Sequence, residues 1–484
     1  MAPTDNGGRA VPVQARLLGE PRPCSGHGGP PDEARLQRAV LTMSVGFLGV
    51  FGGFQAAQGL QTSLNATLGS LNLACLYGAF TVLCLLAPAM LSRLERAMGI
   101  RVVMLLASLA YVAMVFSNIL PPSSEPCAAW AVPLAANTIV GVAAPVLWTA
   151  QNAYVCRCAT AAAVNCAEGR EVFTTRFNSL FFAVYQFAGM CGNLLCSSIL
   201  LALSGHDAAT RILFLVLGCV SASGSLAFLR MPAVAAESGE SNDGDNQAIL
   251  ATAQLALGDA RTGLFIPLMF TNGMILAYFF GDFQARVTSP VLGPALTGLT
   301  IATFFGVNAI ATRVWGQAVS TRRLSRRSAF VVATVVQAAF LAALLAWRAP
   351  VHFERQPAPG GVGWRRLGVA SAADAAAVLG LAAVLACGDA FYESGPPATL
   401  QTFYAGSEKV VPAMANYKLW QSLGMAVQFP LSIAIGDLTS VAVVILLALL
   451  AVSIMCVLVL DAFVAPLHGE DPRASSAEQQ RERA

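Results

Sequence analysis

Few ionisable or amide side chains interrupt the long apolar stretches of this chain, and those that do fall in groups. Asp389 and Glu393 stand four residues apart, a spacing that puts both carboxylates on one face of a helix. Asp282 ends the seventh apolar stretch and Arg313 lies in the inner half of the eighth. Gln55 and Gln58 stand about one turn apart in the first, and Trp148, Gln151 and Asn152 end the fourth. Ionisable groups at membrane depth cost a few kcal/mol or more, so they pair with one another or face water. We expect Arg313 to pair with Asp389 or Glu393, either as a structural ion pair or gate or as part of a solute or cation site. Asp282, at a span boundary, can simply be wetted. For the glutamines the alternatives are solute contact and hydrogen bonding between helices.

Other chemistries find little support. No Walker loop, Ser/His/Asp set or metal-ligand spacing is present, so neither an enzyme nor a bound cofactor is expected. The four histidines, His27, His206, His352 and His468, all fall outside the apolar runs. The "CRC" at Cys156 to Cys158 with Cys166 is too loosely spaced for zinc and has no histidine nearby. Of the twelve cysteines only Cys127 is expected near the outer surface, which leaves no outer disulfide. Asn65-Ala66-Thr67 is the one N-x-S/T sequon, so Asn65 is the candidate glycosylation acceptor.

These residues must be positioned by membrane helices. Hydrophobic residues make up 56% of the 484 and charged ones 11%, against about 25% charged in soluble domains. Mean hydropathy is +0.64. A net charge of +3 carries no implication of nucleic acid in such a chain. Twelve stretches are apolar over the roughly 20 residues that a span requires. They are 39–61, 70–92, 102–120, 128–149, 177–203, 211–229, 263–283, 294–314, 328–347, 371–391, 414–435 and 440–460. Residues 1–38 are polar with no signal-peptide core, and 461–484 are polar as well; both read as disordered tails. With both termini in the cytosol, 22 basic residues fall on the inner side and six on the outer, as positive-inside topology demands. The expected setting is the plasma membrane or an endomembrane.

The chain also repeats itself. "FGGFQA" from Phe51 returns as "FGDFQA" from Phe280, 229 positions later, and Gly69 and Gly298 keep the same offset. An acidic segment, "PAVAAESGESNDGDNQ", lies between the sixth and seventh spans. The reading is an all-α membrane protein with two six-helix bundles, 39–230 and 263–460, joined by a cytosolic linker at 231–262. That is the twelve-span major facilitator architecture, whose first, fourth, seventh and tenth spans line a central cavity. The glycines of "GVFGG" at 49–53 form a small-xxx-small step of the kind that brings helices close.

Longer phrases carry a resemblance. "GFLGVFGGFQAAQGLQTSLN", "YGAFTV", "GVAAPVLWTAQNAYV", "FFAVYQFAGMCGNLLCSSI", "GDA" at Gly388 to Ala390 and "ANYKLWQSLGMA" from Ala415 resemble the Unc-93 family. The resemblance implies a facilitator-like protein that regulates or traffics other membrane proteins, potassium channels among them. Its alternative is a secondary transporter moving a small solute or cation by alternating access, with Asp282, Asp389 and Glu393 as coupling sites. Two features depart from the family pattern. "FYESGPPATLQTF" follows "GDA" where relatives carry a Trp and paired amides, placing helix-breaking Pro396 and Pro397 at the end of the tenth span. The loop "SGHDAAT" is short where animal members have a long one.

Overall fold

The computed structural model describes residues 33–119, 128–163, 170–204, 206, 208–234, 252–358, 361–404, 407, 409–436, 438–465 and 467. Among these residues twelve long helices follow one another. They are α1 (Glu33–Leu64), α2 (Ala66–Cys84), α3 (Ile100–Ser117), α4 (Ala131–Ala163), α5 (Arg170–Ala202), α6 (Ala209–Ala227), α7 (Ala260–Tyr278), α8 (Thr297–Ser320), α9 (Arg326–Ala346), α10 (Ala372–Phe403), α11 (Val410–Ile435) and α12 (Thr439–Val459). Among the described residues eleven helical stretches are long and apolar enough to cross a membrane. The expected span not among them, 414–435, coincides with α11, whose apolar run is diluted by Asn416, Lys418, Gln421 and Gln428.

Boundaries differ where capping or proline chemistry intervenes. The stretch expected at 70–92 breaks after α2, and a separate helix, Ala87–Met98, begins with a proline in its first turn. Pro396 and Pro397 do not end α10, which continues to Phe403. Proline removes the N–H that would bond the carbonyl four residues back. For Pro397 that carbonyl belongs to Glu393, and the Tyr417 hydroxyl donates to it instead at 3.3 Å. Of the linker expected at 231–262, residues 235–251 lie outside the described set, while 252–258 are helical and Asn416 donates to the Thr252 carbonyl at 2.9 Å. The tail expected at 461–484 is described only at 461–465 and 467, and residues 1–32, Cys127 and Cys166 also lie outside the described set.

Buried apolar side chains form two separate cores, one drawn from residues 36–231 and the other from 255–467. A small cluster of Leu73, Ala277 and Phe429 bridges them. Within the first half α1 packs on α5 and α6, and in the second α7 packs on α11 and α12. The two halves therefore repeat one arrangement. The small residues of "GVFGG" serve as expected: a Cβ on Gly49 would lie 2.7 Å from the Gly224 Cα, and one on Gly53 would lie 2.6 Å from the Leu217 carbonyl.

The repeated phrase itself adopts two geometries. In α1 it is ordinary α-helix, whereas Phe279–Thr288 forms a π-helical segment that extends α7 into a last turn, Ser289–Leu292. Such widened turns are rare and concentrate at functional sites. One consequence is that Asp282 and Arg286 lie inside the helix and not at its end.

Between α9 and α10 the chain forms an antiparallel hairpin, β1 (Phe353–Ala358) with β2 (Gly361–Arg366), in which Phe353 pairs with Arg366 and Glu354 with Arg365. This hairpin marks one end of the molecule, where most hydrogen bonds between the halves occur. Thr62 Oγ1 donates to the Phe280 carbonyl at 3.2 Å, Ser63 and Thr297 hydroxyls meet at 3.4 Å, and Leu299 N donates to Ser197 Oγ at 2.8 Å. From the hairpin, Arg355 Nη2 donates to the carbonyls of Thr62 at 3.2 Å and Ser63 at 3.0 Å. Toward the opposite end the last such bond among the described residues joins Thr81 to Ser422 at 3.0 Å.

Candidate functional site

The carboxylates Asp389 and Glu393 share one face of α10, as their spacing predicts, but the groups that hold them are mostly neutral. Glu393 Oε1 accepts from Asn272 Nδ2 on α7 at 3.2 Å and from Gln421 Nε2 on α11. Its Oε2 accepts from the Tyr417 hydroxyl at 3.1 Å and lies 3.8 Å from Lys418 Nζ. Asp389 is only 1% exposed; its Oδ2 accepts from Asn308 Nδ2 on α8 at 2.8 Å, while Oδ1 and the Asn272 Oδ1 are buried without a partner. Glu393 keeps 34% side-chain exposure and Lys418 51%. Asp389 is thus buried and Glu393 partly exposed, one helical turn apart.

The first half presents amides paired with tyrosines. Gln55 Nε2 donates to the Tyr185 hydroxyl at 3.2 Å and Gln58 Nε2 to the Tyr77 hydroxyl at 3.0 Å. Tyr77 also stacks with Phe429 of α11 at a ring distance of 5.9 Å, so the two halves meet beside these groups. Trp148 packs with Phe47, Phe51 and Tyr185 at ring distances of 5.4, 5.3 and 5.2 Å. Gln151 is fully buried with neither amide atom bonded, whereas Asn152 is exposed on the other side of α4. Neighbours in sequence, these two do not act together.

Two expectations need correction. Arg313 is exposed and forms no ion pair or side-chain hydrogen bond among the described residues, so it is not the partner of Asp389 or Glu393. The cause is helical phase. Asn308 and Trp315, seven residues apart on one face of α8, both reach α10, with Trp315 Nε1 donating to the Cys387 carbonyl at 2.8 Å. Arg313, five residues past Asn308, points elsewhere. Asp282 is not a free residue at a span boundary either: it lies within the π segment, is 5% exposed, bonds Arg286 Nε at 3.2 Å and Gln428 Nε2 at 3.2 Å, and accepts from the Ser432 hydroxyl. The sequon asparagine is likewise buried, at 5% exposure, and caps α2 by accepting from Leu68 N at 3.0 Å.

Sequence reasoning missed Asn272, Asn308, Tyr417, Lys418, Gln421, Gln428 and Ser432. The signal was present in "NYKLWQSLG". Its Tyr417, Lys418 and Gln421 reach Glu393, while Asn416 accepts from Trp420 Nε1 at 3.2 Å and holds the 252–258 helix.

Two repeated six-helix halves with polar side chains facing between them define a membrane protein of major facilitator fold. A D-xylose-proton symporter structure superposes with a TM-score of 0.60 at 14% identity, covering 89% of this chain and 98% of that one. The family model described as "Ion channel regulatory protein UNC-93" matches residues 61–464, and the chain belongs to that family. It is 25% identical over 434 residues to protein unc-93 homolog A of Bos taurus, covering 81% of this chain and 86% of that protein. It is 27% identical over 406 residues to UNC93-like protein 3 of Arabidopsis thaliana, covering 82% and 80%. The putative potassium channel regulatory protein unc-93 of Caenorhabditis elegans is 23% identical over 444 residues, covering 82% of this chain and 58% of that protein.

Proposed function

We propose that this protein is a non-catalytic membrane regulator of an ion channel, with a potassium channel as its partner. The observation that carries this reading is the family match, which runs through both halves and the hairpin. The bias of 22 basic residues to one side against six supports cytosolic termini. Co-expression with candidate potassium channels, followed by surface labelling and current recording, tests the proposal. A partner whose current or surface density changes with this protein sustains it. No effect on any potassium channel at matched expression refutes it.

A second reading, transport of a small solute or cation, is favoured by the bare Asp389 Oδ1 and Asn272 Oδ1 beside Glu393. Buried carboxylates without a cation partner are costly, and protonation or a bound cation relieves them. In this reading Asp389 and Glu393 are the coupling groups, and Gln55, Gln58 and Trp148 line the opposing wall. Purified protein in liposomes should then show saturable, pH-dependent flux that Glu393→Gln and Asp389→Asn abolish.

A further inference from the structure

A further space lies at the other end of the molecule from this cluster. It is a vestibule of about 580 Å³ under the hairpin, open to the surface and lined by both halves, with Thr67 and Ser70 from α2, Asp282 and Arg286 from the π segment, Ser432 from α11, and Arg355. Trp364 from the second hairpin strand completes the wall.

Its lining carries Asp282 and Glu354 against Arg286 and Arg355, but Glu354 is engaged by Arg365 from outside the lining, so Arg355 is the charge left over. Asp282 is matched by Arg286 at 3.2 Å and supplied with further donors by Gln428 and Ser432. Glu354 is matched by Arg365 at 3.0 Å. Arg355 has no carboxylate partner among the described residues. One of its nitrogens donates to the carbonyls of Thr62 and Ser63, its guanidinium lies 5.5 Å over the Trp364 ring, and its Nε is buried without any hydrogen-bond partner. Burial first, and then the charge of nearby Arg286, shifts the Arg355 pKa below its ordinary value. A guanidinium presents a planar fork of donors suited to carboxylate and phosphate, and an unmatched one in a confined space favours an anion.

We infer that the vestibule is a binding site for a small carboxylate or phosphate anion, held between Arg355 and Arg286 with hydroxyls of Thr67, Ser70 and Ser432 around it. Since Arg355 also grips the end of α1, an anion that fixes its guanidinium strengthens the tie between the halves at this end. Neither reading of the overall function is needed for this assignment. The shared chemistry comes from two sources, a dissolved anion or the phosphate of a lipid headgroup.

The test is thermal unfolding of the purified full chain, titrated with inorganic phosphate at constant ionic strength in neutral detergent, and in nanodiscs of phosphatidylcholine with and without phosphatidylglycerol. The expected result is a saturable rise in melting temperature. Arg355→Gln and Arg286→Gln should remove it, Arg355→Lys should weaken the apparent affinity by losing the fork, and Arg211→Gln, at an exposed position outside the lining, should leave it intact. A rise with phosphate supports a dissolved anion; a rise only with phosphatidylglycerol, lost in the same variants, supports the headgroup. No rise in the wild-type chain with either, or a rise that Arg355→Lys and Arg286→Gln both leave unchanged, overturns the site.

Discussion

The Tyr417 hydroxyl bonds both the backbone carbonyl and the side-chain carboxylate of Glu393, at 3.3 and 3.1 Å. The first bond answers a vacancy made by Pro397, and the second fixes the carboxylate toward the space between the halves. Backbone repair and site geometry therefore depend on one side chain.

Tyr417→Phe should lower the melting temperature, because an orphaned buried acceptor costs about 1–3 kcal/mol. Pro397→Ala restores an N–H to the helix and should recover part of that loss in the double variant. If the double variant melts no higher than Tyr417→Phe alone, the carbonyl is not the group at stake. Differential scanning fluorimetry in detergent reads both.

Arg313→Ala should change stability by less than about 0.5 kcal/mol, the range for exposed positions. Asn308→Ala, by contrast, removes the one side-chain donor to Asp389 among the described residues and should cost about 1–3 kcal/mol. Equal losses in the two variants would restore Arg313 as a partner of the carboxylates.

This contrast shows where sequence reading succeeds and stops. Long apolar runs, the basic bias and the repeated phrase made the helical halves legible, since a spanning helix is mainly a matter of length and hydropathy. The spacing of Asp389 and Glu393 also showed that they share a face. Opposite charge, however, was a poor guide to their partners, because rotation about α8 decides which side chain meets α10, and neutral donors suffice. The π segment was invisible for a similar reason: Phe51 and Phe280 open near-identical phrases, and only tertiary packing distinguishes their turns. The hairpin lay in "FERQPAPGGVGWRR", which a search for spans passes over as a loop.

Gly192→Ala should sharply reduce folded yield, since the added Cβ would sit 1.9 Å from the Gly52 carbonyl where α5 meets α1. Backbone cannot yield there as a flexible side chain could. Gly78→Ala is the control, with nothing within 4 Å of the new Cβ. It should match or exceed the wild type, as alanine gains roughly 0.5–1 kcal/mol over glycine within a helix. Comparable yields for the two variants would mean that α1 and α5 are not in contact.

Asn65 should carry no glycan in the mature protein. Its side chain caps α2 and is buried, so a sugar would have to displace the cap. Glycosidase treatment of protein from a glycosylating host should leave its electrophoretic mobility unchanged. Asn65→Ala should cost about 1 kcal/mol through the lost cap, while Asn65→Ser should retain most of it. A mobility shift that Asn65→Ser abolishes would show that α2 begins later during synthesis than in the folded chain.

The contact between Ser63 and Thr297, with hydroxyls 3.4 Å apart, offers a way to separate the two functional readings. Cysteines at both positions would join α1 to α8 across the halves. Ser63→Cys/Thr297→Cys should form an intramolecular disulfide under mild oxidant, seen by mass mapping, while neither single variant does. Alternating access requires this end to open in every cycle, so the cross-link should stop a carrier and reduction should restore it. A regulator that acts through its outer surface has no such cycle, and its effect on channel current should survive cross-linking. We expect retained regulation in the cross-linked form. Loss of current modulation on oxidation, reversed by reductant and absent in both single variants, would show that opening between Ser63 and Thr297 is part of the function.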